Sequence, residues 1–265
     1  MKERLIVGLV GLAILLPGIV WGAPWVTDII VTLALAVAVQ EFTRMAIPER
    51  VNLGYAVFGG GVALVHAANL FWPEMLTAAL SVSAVVALIT GLLAVPDTNR
   101  GARAGAWMVM GLVYLPILFG MLSAVRRMED GVAWVFVCLA LAWAADTGAY
   151  FAGRAFGKTP LFPRVSPKKT WEGAVGGAIA VVLVVGIIKV VALPHMGWGH
   201  VIALGLIGDF AGVVGDLVES AFKRASDVKD SGNILPGHGG ILDRVDSLLF
   251  TAPVTYVYAT TFGMG

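Results

Sequence analysis

The sequence predicts an all-α, polytopic integral membrane protein with about nine transmembrane helices and a cytoplasmic N-terminus. Three observations lead there. Of 265 residues, 58% are hydrophobic and 13% are charged, against roughly 25% charged in a soluble domain, so the chain could not cover a water-facing surface. Apolar runs of about 20 residues recur, each long enough to cross a hydrocarbon core as a helix. The runs are continuous instead of alternating, which selects helices over a barrel.

The runs fall at about 5–21, 26–46, 52–72, 75–95, 105–125, 131–153, 173–193, 200–221 and 241–262. The first follows Met1-Lys2-Glu3-Arg4, as in a signal peptide, but no small-x-small cleavage site follows, so it reads as a retained helix. Pro17 and Gly18 predict a kink or a re-entrant turn in it. Spans one to five (1–130) are plain hydrophobic helix; spans six to nine (131–265) carry the chemistry. Together they form one membrane-embedded unit without an internal repeat. Fifteen of the 18 Lys and Arg residues fall on the inner side if the N-terminus is inside, which fixes the orientation. Trp21, Trp25, Trp72, Trp134 and Trp198 then lie near the outer boundary as an aromatic belt. A net charge of +1 gives no bulk field for nucleic acid, and the single cysteine, Cys138, forms no internal disulfide.

Charges inside the spans are costly and mark candidate sites. Asp146 lies in span six; Asp209, Asp216 and Glu219 in span eight; Asp243 and Asp246 open span nine. One such acid alone is as readily an interhelical hydrogen bond. As a group they agree in placement: Asp216, Glu219, Ser220 and Lys223 share one helix face at i, i+3, i+4 and i+7, and Asp243 and Asp246 share another. Clustered carboxylates suit Mg²⁺, which takes one or two of them together with substrate phosphates. His66, His195 and His200 are isolated and read as structural. His238 differs, because it sits in the turn Pro236-Gly237-His238-Gly239-Gly240, whose backbone N–H groups can approach anionic oxygens. The loop before span seven reads Ser166-Pro167-Lys168-Lys169-Thr170-Trp171-Glu172-Gly173. Its lysines are either ordinary topology signals or, crowded at a helix start, polyphosphate ligands. Gly205, Gly208, Gly212 and Gly215 form a small-residue stripe that reads as close helix packing.

These residues resemble the phosphatidate cytidylyltransferase family. The match runs through Ser220-Ala-Phe-Lys223-Arg224, Lys229-Asp230, Gly232, Leu235-Pro236, His238-Gly239-Gly240 and Asp243-Arg244-Val245-Asp246. The segment holding Asp146-Thr147, Tyr150, Gly153 and Ser166 to Gly173 is similar to the family's second motif block. The resemblance implies transfer of CMP from CTP to phosphatidic acid, giving CDP-diacylglycerol and pyrophosphate. It implies Mg²⁺ on Asp216, Asp243 and Asp246, K⁺ as a monovalent cation beside it, and a homodimer. The Lys/Arg asymmetry puts the expected site at the cytoplasmic face of the cell (inner) membrane.

In that reaction the lipid phosphate attacks the α-phosphorus of CTP and needs little base, since a phosphomonoester is largely ionised at neutral pH, with a second pKa of roughly 6. Charge is the chemical problem. The expected assignment is therefore Asp216, Asp243, Asp246, Lys223 and Arg224 for catalysis. Asp146, Lys168, Lys169, Ser220, Lys229, His238, Gly239, Gly240 and Arg244 are expected to hold substrate phosphates. The alternatives are a CTP-dependent lipid kinase, which the Lys-Asp…His-Gly-Gly…Asp-Arg-x-Asp run disfavours, and an ion or proton transporter. Against the transporter, the acids sit beside Lys-rich and Gly-rich loops instead of on broken helices at the midplane.

Overall fold

The computed structural model describes residues 11, 13, 15–234 and 239–264. Most of the first expected span, and residues 235–238 with the candidate phosphate ligand His238, lie outside the described residues. Helix α1 is Pro24–Ala46, α2 Val51–Phe71, α3 Leu76–Ala94 and α4 Thr98–Tyr114. Asp97 caps α4, its Oδ1 accepting the Arg100 N–H at 2.8 Å, which satisfies a donor the helix start leaves open. Helix α5 is Pro116–Arg126; Pro116 has no N–H to give to the preceding turn, so span five is two helices joined at Leu115.

Helix α6, Gly131–Leu139, passes through a π-helical turn, Ala140–Ala144, into α7, Ala145–Phe156. A hairpin of β1 (Pro160–Phe162) and β2 (Ser166–Thr170) follows, antiparallel, with Pro160 opposite Thr170 and Phe162 opposite Ser166. Then come α8 (Trp171–Ala192), α9 (Trp198–Ala225), the single turn α10 (Leu242–Val245) and α11 (Leu248–Thr261).

Among the described residues, seven stretches are long and apolar enough to cross a membrane: Pro24–Ala46, Pro48–Phe71, Pro73–Ala94, Thr98–Arg126, Gly131–Phe156, Trp171–Ala192 and Trp198–Ala225. They coincide with expected spans two to eight. The expected ninth span is divided into α10 and α11, and the 14 residues of α11 reach only about 21 Å. Along α8, Val175, Ile179, Leu183, Ile187 and Val191 are all more than half exposed. An i, i+4 stripe of bare aliphatic side chains suits lipid and not water.

The chain forms two compact units. The first comprises the described parts of Met1–Ser123 and Ala225–Arg244; the second comprises Ala124–Arg224 and the described part of Val245–Gly265. In the first, Phe42 and Phe58 pack with ring centroids 5.4 Å apart beside Gly111, where a Cβ would meet the Phe58 ring at 2.5 Å. Helices α3 and α4 touch through Gly91, whose Cβ would lie 2.5 Å from the Gly101 carbonyl. His66 is buried with Nε2 3.0 Å from the Thr32 hydroxyl, in keeping with a structural role.

In the second unit, α7 and α8 run antiparallel in close contact. A Cβ on Gly148 would meet the Gly176 carbonyl at 2.6 Å, one on Gly173 the Ala149 carbonyl at 3.0 Å, and one on Gly177 the Ala145 carbonyl at 3.0 Å. Trp134 departs from the expected aromatic belt. It is fully buried and its indole N–H donates to the Met264 carbonyl at 3.2 Å, because burial leaves that N–H needing a protein acceptor. Trp21, Trp25, Trp72 and Trp198 are more than half exposed.

Candidate functional site

The site in the second unit grows from α9. Its 28 residues reach about 42 Å, longer than a bilayer core, so Asp216, about 27 Å along from Trp198, comes near the far boundary. Small residues govern what α9 can approach. A Cβ on Gly208 would meet Leu141, one on Gly212 the Leu141 carbonyl at 3.2 Å, and one on Gly215 the Asp246 carbonyl at 2.7 Å. The stripe read from the sequence as packing thus seats the start of α11 against α9. Ser247 reinforces this by donating its hydroxyl to the Gly212 carbonyl at 3.1 Å.

The polar residues of α9 are then brought to those of its neighbours. Asp216 accepts the Ser220 hydroxyl on Oδ1 at 3.1 Å and pairs through Oδ2 with Lys169 Nζ at 2.6 Å. Fully buried Glu219 pairs with Lys223 one turn on. Asp246, whose Oδ1 accepts the Ser247 N–H at 2.7 Å, senses Asp216 and Asp146 as repelling charges and Lys223 as an attracting one. Asp209, buried on α9, senses Lys169 and Asp146. Five carboxylates therefore share one electrostatic neighbourhood with two lysines.

Lys169 arrives on strand β2, not at the helix start expected from the sequence. Thr170 caps α8, its hydroxyl accepting the Gly173 N–H at 3.1 Å, and the Glu172 carboxylate accepts the N–H groups of Lys158 at 3.1 Å and Thr159 at 3.2 Å. Alternation along the strand separates the two candidate lysines: Lys169 is half-buried against Asp216 while Lys168 is exposed. Arg224 is exposed at the end of α9.

Residues 225–234 and 239–244, which flank the glycine-rich turn, belong to the first unit. Asp243 Oδ2 accepts three hydrogen bonds, from the Ser231 N–H at 3.0 Å, the Ser231 hydroxyl at 3.0 Å and the Gly240 N–H at 2.9 Å. Gly239 makes this turn at φ +80, a left-handed conformation that favours glycine. Lys229 and Arg244 are exposed. The sequence reading missed Glu41, which is buried on α1. It accepts the Ser231 hydroxyl at 3.0 Å, the Ile241 N–H at 2.9 Å and the Leu242 N–H at 2.9 Å. The signal was available: Glu41 is a carboxylate inside an apolar span.

Among the described residues, no three His, Cys, Asp or Glu side chains are grouped so as to hold a metal ion. Mg²⁺ does not require such a cage, since one or two carboxylates plus substrate phosphates suffice. Asp216 and Asp246, hard oxygen donors in mutual electrostatic contact, are chemically suited to it.

A sequence model of the cytidylyltransferase family matches residues 2–262. The phosphatidate cytidylyltransferase of Pseudomonas aeruginosa is 35% identical over 273 aligned residues, covering 100% of this chain and 99% of that protein. That of Bacillus subtilis is 38% identical over 184 residues, 69% of this chain and 68% of the relative. That of Brucella suis is 44% identical over 160 residues, 59% and 58% of the two chains. These relatives leave the lipid-kinase and ion-transporter alternatives without support.

Two expectations follow from this geometry. Lys169→Gln removes the cation beside Asp216 and lowers turnover about 10- to 100-fold, whereas Lys168→Gln stays within about fivefold of the parent; steady-state kinetics with CTP varied measures both. Gly215→Val drives a side chain into the Asp246 carbonyl and the Phe250 ring. It should lower turnover about tenfold or more, with about 1–3 kcal/mol of overpacking strain visible as a lower melting temperature in detergent.

Proposed function

Because the chain belongs to the cytidylyltransferase family, we propose that it transfers CMP from CTP to phosphatidic acid, giving CDP-diacylglycerol and pyrophosphate. The observation that carries this reading is the acid and lysine cluster of Asp146, Asp209, Asp216, Glu219, Asp246, Lys169 and Lys223 on helices of membrane-crossing length. It coincides with a chain-long match to a relative bearing that enzyme's name. The lipid's acyl chains stay in the bilayer while its headgroup meets charged side chains at the membrane boundary.

A phosphate oxygen of phosphatidic acid forms a bond to the α-phosphorus of CTP. The bond from that phosphorus to the β-phosphate bridging oxygen breaks, and pyrophosphate leaves with the electron pair. Nothing in the step requires a strong base, because the attacking phosphate is already ionised near neutral pH. Lys169 is the cation best placed to meet the triphosphate: an arriving polyanion competes with Asp216 for it. Ser220 orients Asp216, and Lys223 offsets Glu219 and Asp246. Arg224, Lys229 and Arg244, all exposed, are assigned to holding substrate phosphates.

The excess of carboxylates over lysines opposes a polyanionic substrate unless further cations accompany it. That supports Mg²⁺ on Asp216 and Asp246, with Asp243 the third ligand implied by the resemblance; bound there, it would neutralise triphosphate charge and polarise the phosphorus. The K⁺ ion and the homodimer rest on the resemblance alone. The backbone N–H of Gly240, expected to cradle phosphate, donates to Asp243, so phosphate recognition rests more on lysine and arginine side chains. The active face is assigned to the cytoplasmic side of the inner membrane on the Lys/Arg asymmetry.

Radiolabelled CTP with phosphatidic acid in detergent should yield labelled CDP-diacylglycerol only with Mg²⁺. Asp246→Asn should lower that rate by a factor on the order of 10² to 10³ with the fold intact; normal activity with a normal Mg²⁺ requirement would remove Asp246 from the site. For topology, exposed Asp230 is changed to cysteine; native Cys138 is buried and stays silent. An impermeant maleimide should label Asp230→Cys in inverted vesicles and not in intact cells, and labelling from outside would reverse the orientation.

A further inference from the structure

We propose that Glu41, a residue of the first half of the chain, is a positioning residue for the transfer reaction, acting by anchoring Ser231, two residues after Lys229, and the described stretch 239–243 that carries Gly239, Gly240 and Asp243. The inference rests on the functional reading above only for what the anchored segment does.

Glu41 is 3% exposed on a helix of membrane-crossing length, where an unanswered carboxylate is costly. Its donors are the Ser231 hydroxyl and the N–H groups of Ile241 and Leu242. Both edges of the segment are thus held by one side chain 190 and more residues away in sequence. Asp243 repeats the arrangement from inside the segment, gathering Ser231 and Gly240 on one oxygen. Ser231 is shared by both carboxylates. A third tie lies upstream, where the Ser226 hydroxyl donates to the Met45 carbonyl, one turn beyond Glu41 on α1, at 3.4 Å.

The same contact explains Gly240, which the sequence placed in a turn open to phosphate, and Gly232, which it showed only as a position shared with the family. A Cβ on Gly232 would lie 2.5 Å from Glu41 Oε1, and one on Gly240 2.5 Å from Oε2. Neither position has a positive φ. At Gly232 the carboxylate occupies the space a side chain would take, and at Gly240 the Ser231 hydroxyl and the carboxylate occupy it together. The end of Glu41 is not free to yield, since a backbone N–H fixes each of its oxygens and the single Ser231 hydroxyl hydrogen is shared between it and Asp243. Anchoring therefore sets where Asp243 stands within the first unit.

The test compares the full-length protein with Glu41→Gln and Ser231→Ala in detergent. It reads amide hydrogen exchange at 239–242 and across α1–α4, together with kcat and KM for CTP. Glu41→Gln keeps the shape but turns an NH₂ toward donors. Exchange at Gly240, Ile241 and Leu242 should accelerate about tenfold or more and kcat fall about 10- to 100-fold, while α1–α4 keep their protection. Ser231→Ala should give the same pattern more weakly. Wild-type kcat in Glu41→Gln overturns the proposal whatever the exchange shows. So does a fall in kcat with unchanged loop exchange, or with protection lost equally across α1–α4, which would make Glu41 a scaffold residue. The exchange comparison needs no activity, so failure of the functional reading (a wild-type protein that transfers no CMP) is a separate result.

Discussion

A carboxylate on a helix surrounded by lipid has to be met by a positive charge or a donor at hydrogen-bond range, and both units of this protein are organised by that constraint. In the second unit the answer is Lys169 on Asp216 and Lys223 on Glu219. The lysine of β2 stands next to Thr170, which stops the strand and starts α8, while Gly173, Gly176 and Gly177 let α7 come against α8. The same economy of side chains on α9, at Gly212 and Gly215, admits the backbone of Ser247 and Asp246. Helix contact and charge placement are coupled at Gly215, which admits the Asp246 backbone to α9 and so sets that acid among the charges of Asp216 and Lys223.

In the first unit the constraint is met by neutral donors. Glu41 and Asp243 take backbone N–H groups and the hydroxyl of one serine. Such bonds to an ionised acceptor are stronger than neutral ones. The two solutions suit different tasks. Donors fixed in the backbone hold a segment still, whereas a lysine on a flexible stem can leave one anion for another. The mobile cation is the one that meets substrate in the proposed reaction.

Much of this was legible in the sequence. Seven helices fall where apolar length placed them, since the bilayer leaves the chain few alternatives. The acids of α9 and Asp246 were visible as charges in apolar runs, and the α9 glycines were correctly read as contact residues. What escaped depends on distance in three dimensions. Glu41 looks like one more inner-boundary residue until the chain returns to it at Ser231 and Ile241. The difference between Lys168 and Lys169 turns on a two-residue alternation, and a run of Ser-Pro-Lys-Lys-Thr before a helix does not declare itself a strand. Trp134 had the position of an interfacial residue, but a carbonyl near the C-terminus claims its N–H.

The π-helical turn Ala140–Ala144 interrupts a helix that could have been continuous. A π turn holds one more residue than an α turn, and in a helix with 3.6 residues per turn one extra residue rotates everything beyond it by about 100°. The two segments on either side therefore have separate angular phases. Before the turn, Trp134, Val135, Val137 and Cys138 are fully buried; after it, Asp146 and Tyr150 are exposed while the glycine and alanine face meets α8. A single inserted residue thus lets one rod present its packing side and its polar side in directions that no uniform helix could reconcile. Loss of one alanine there would leave the hydrophobicity of the span untouched and still turn Asp146 away from its neighbours.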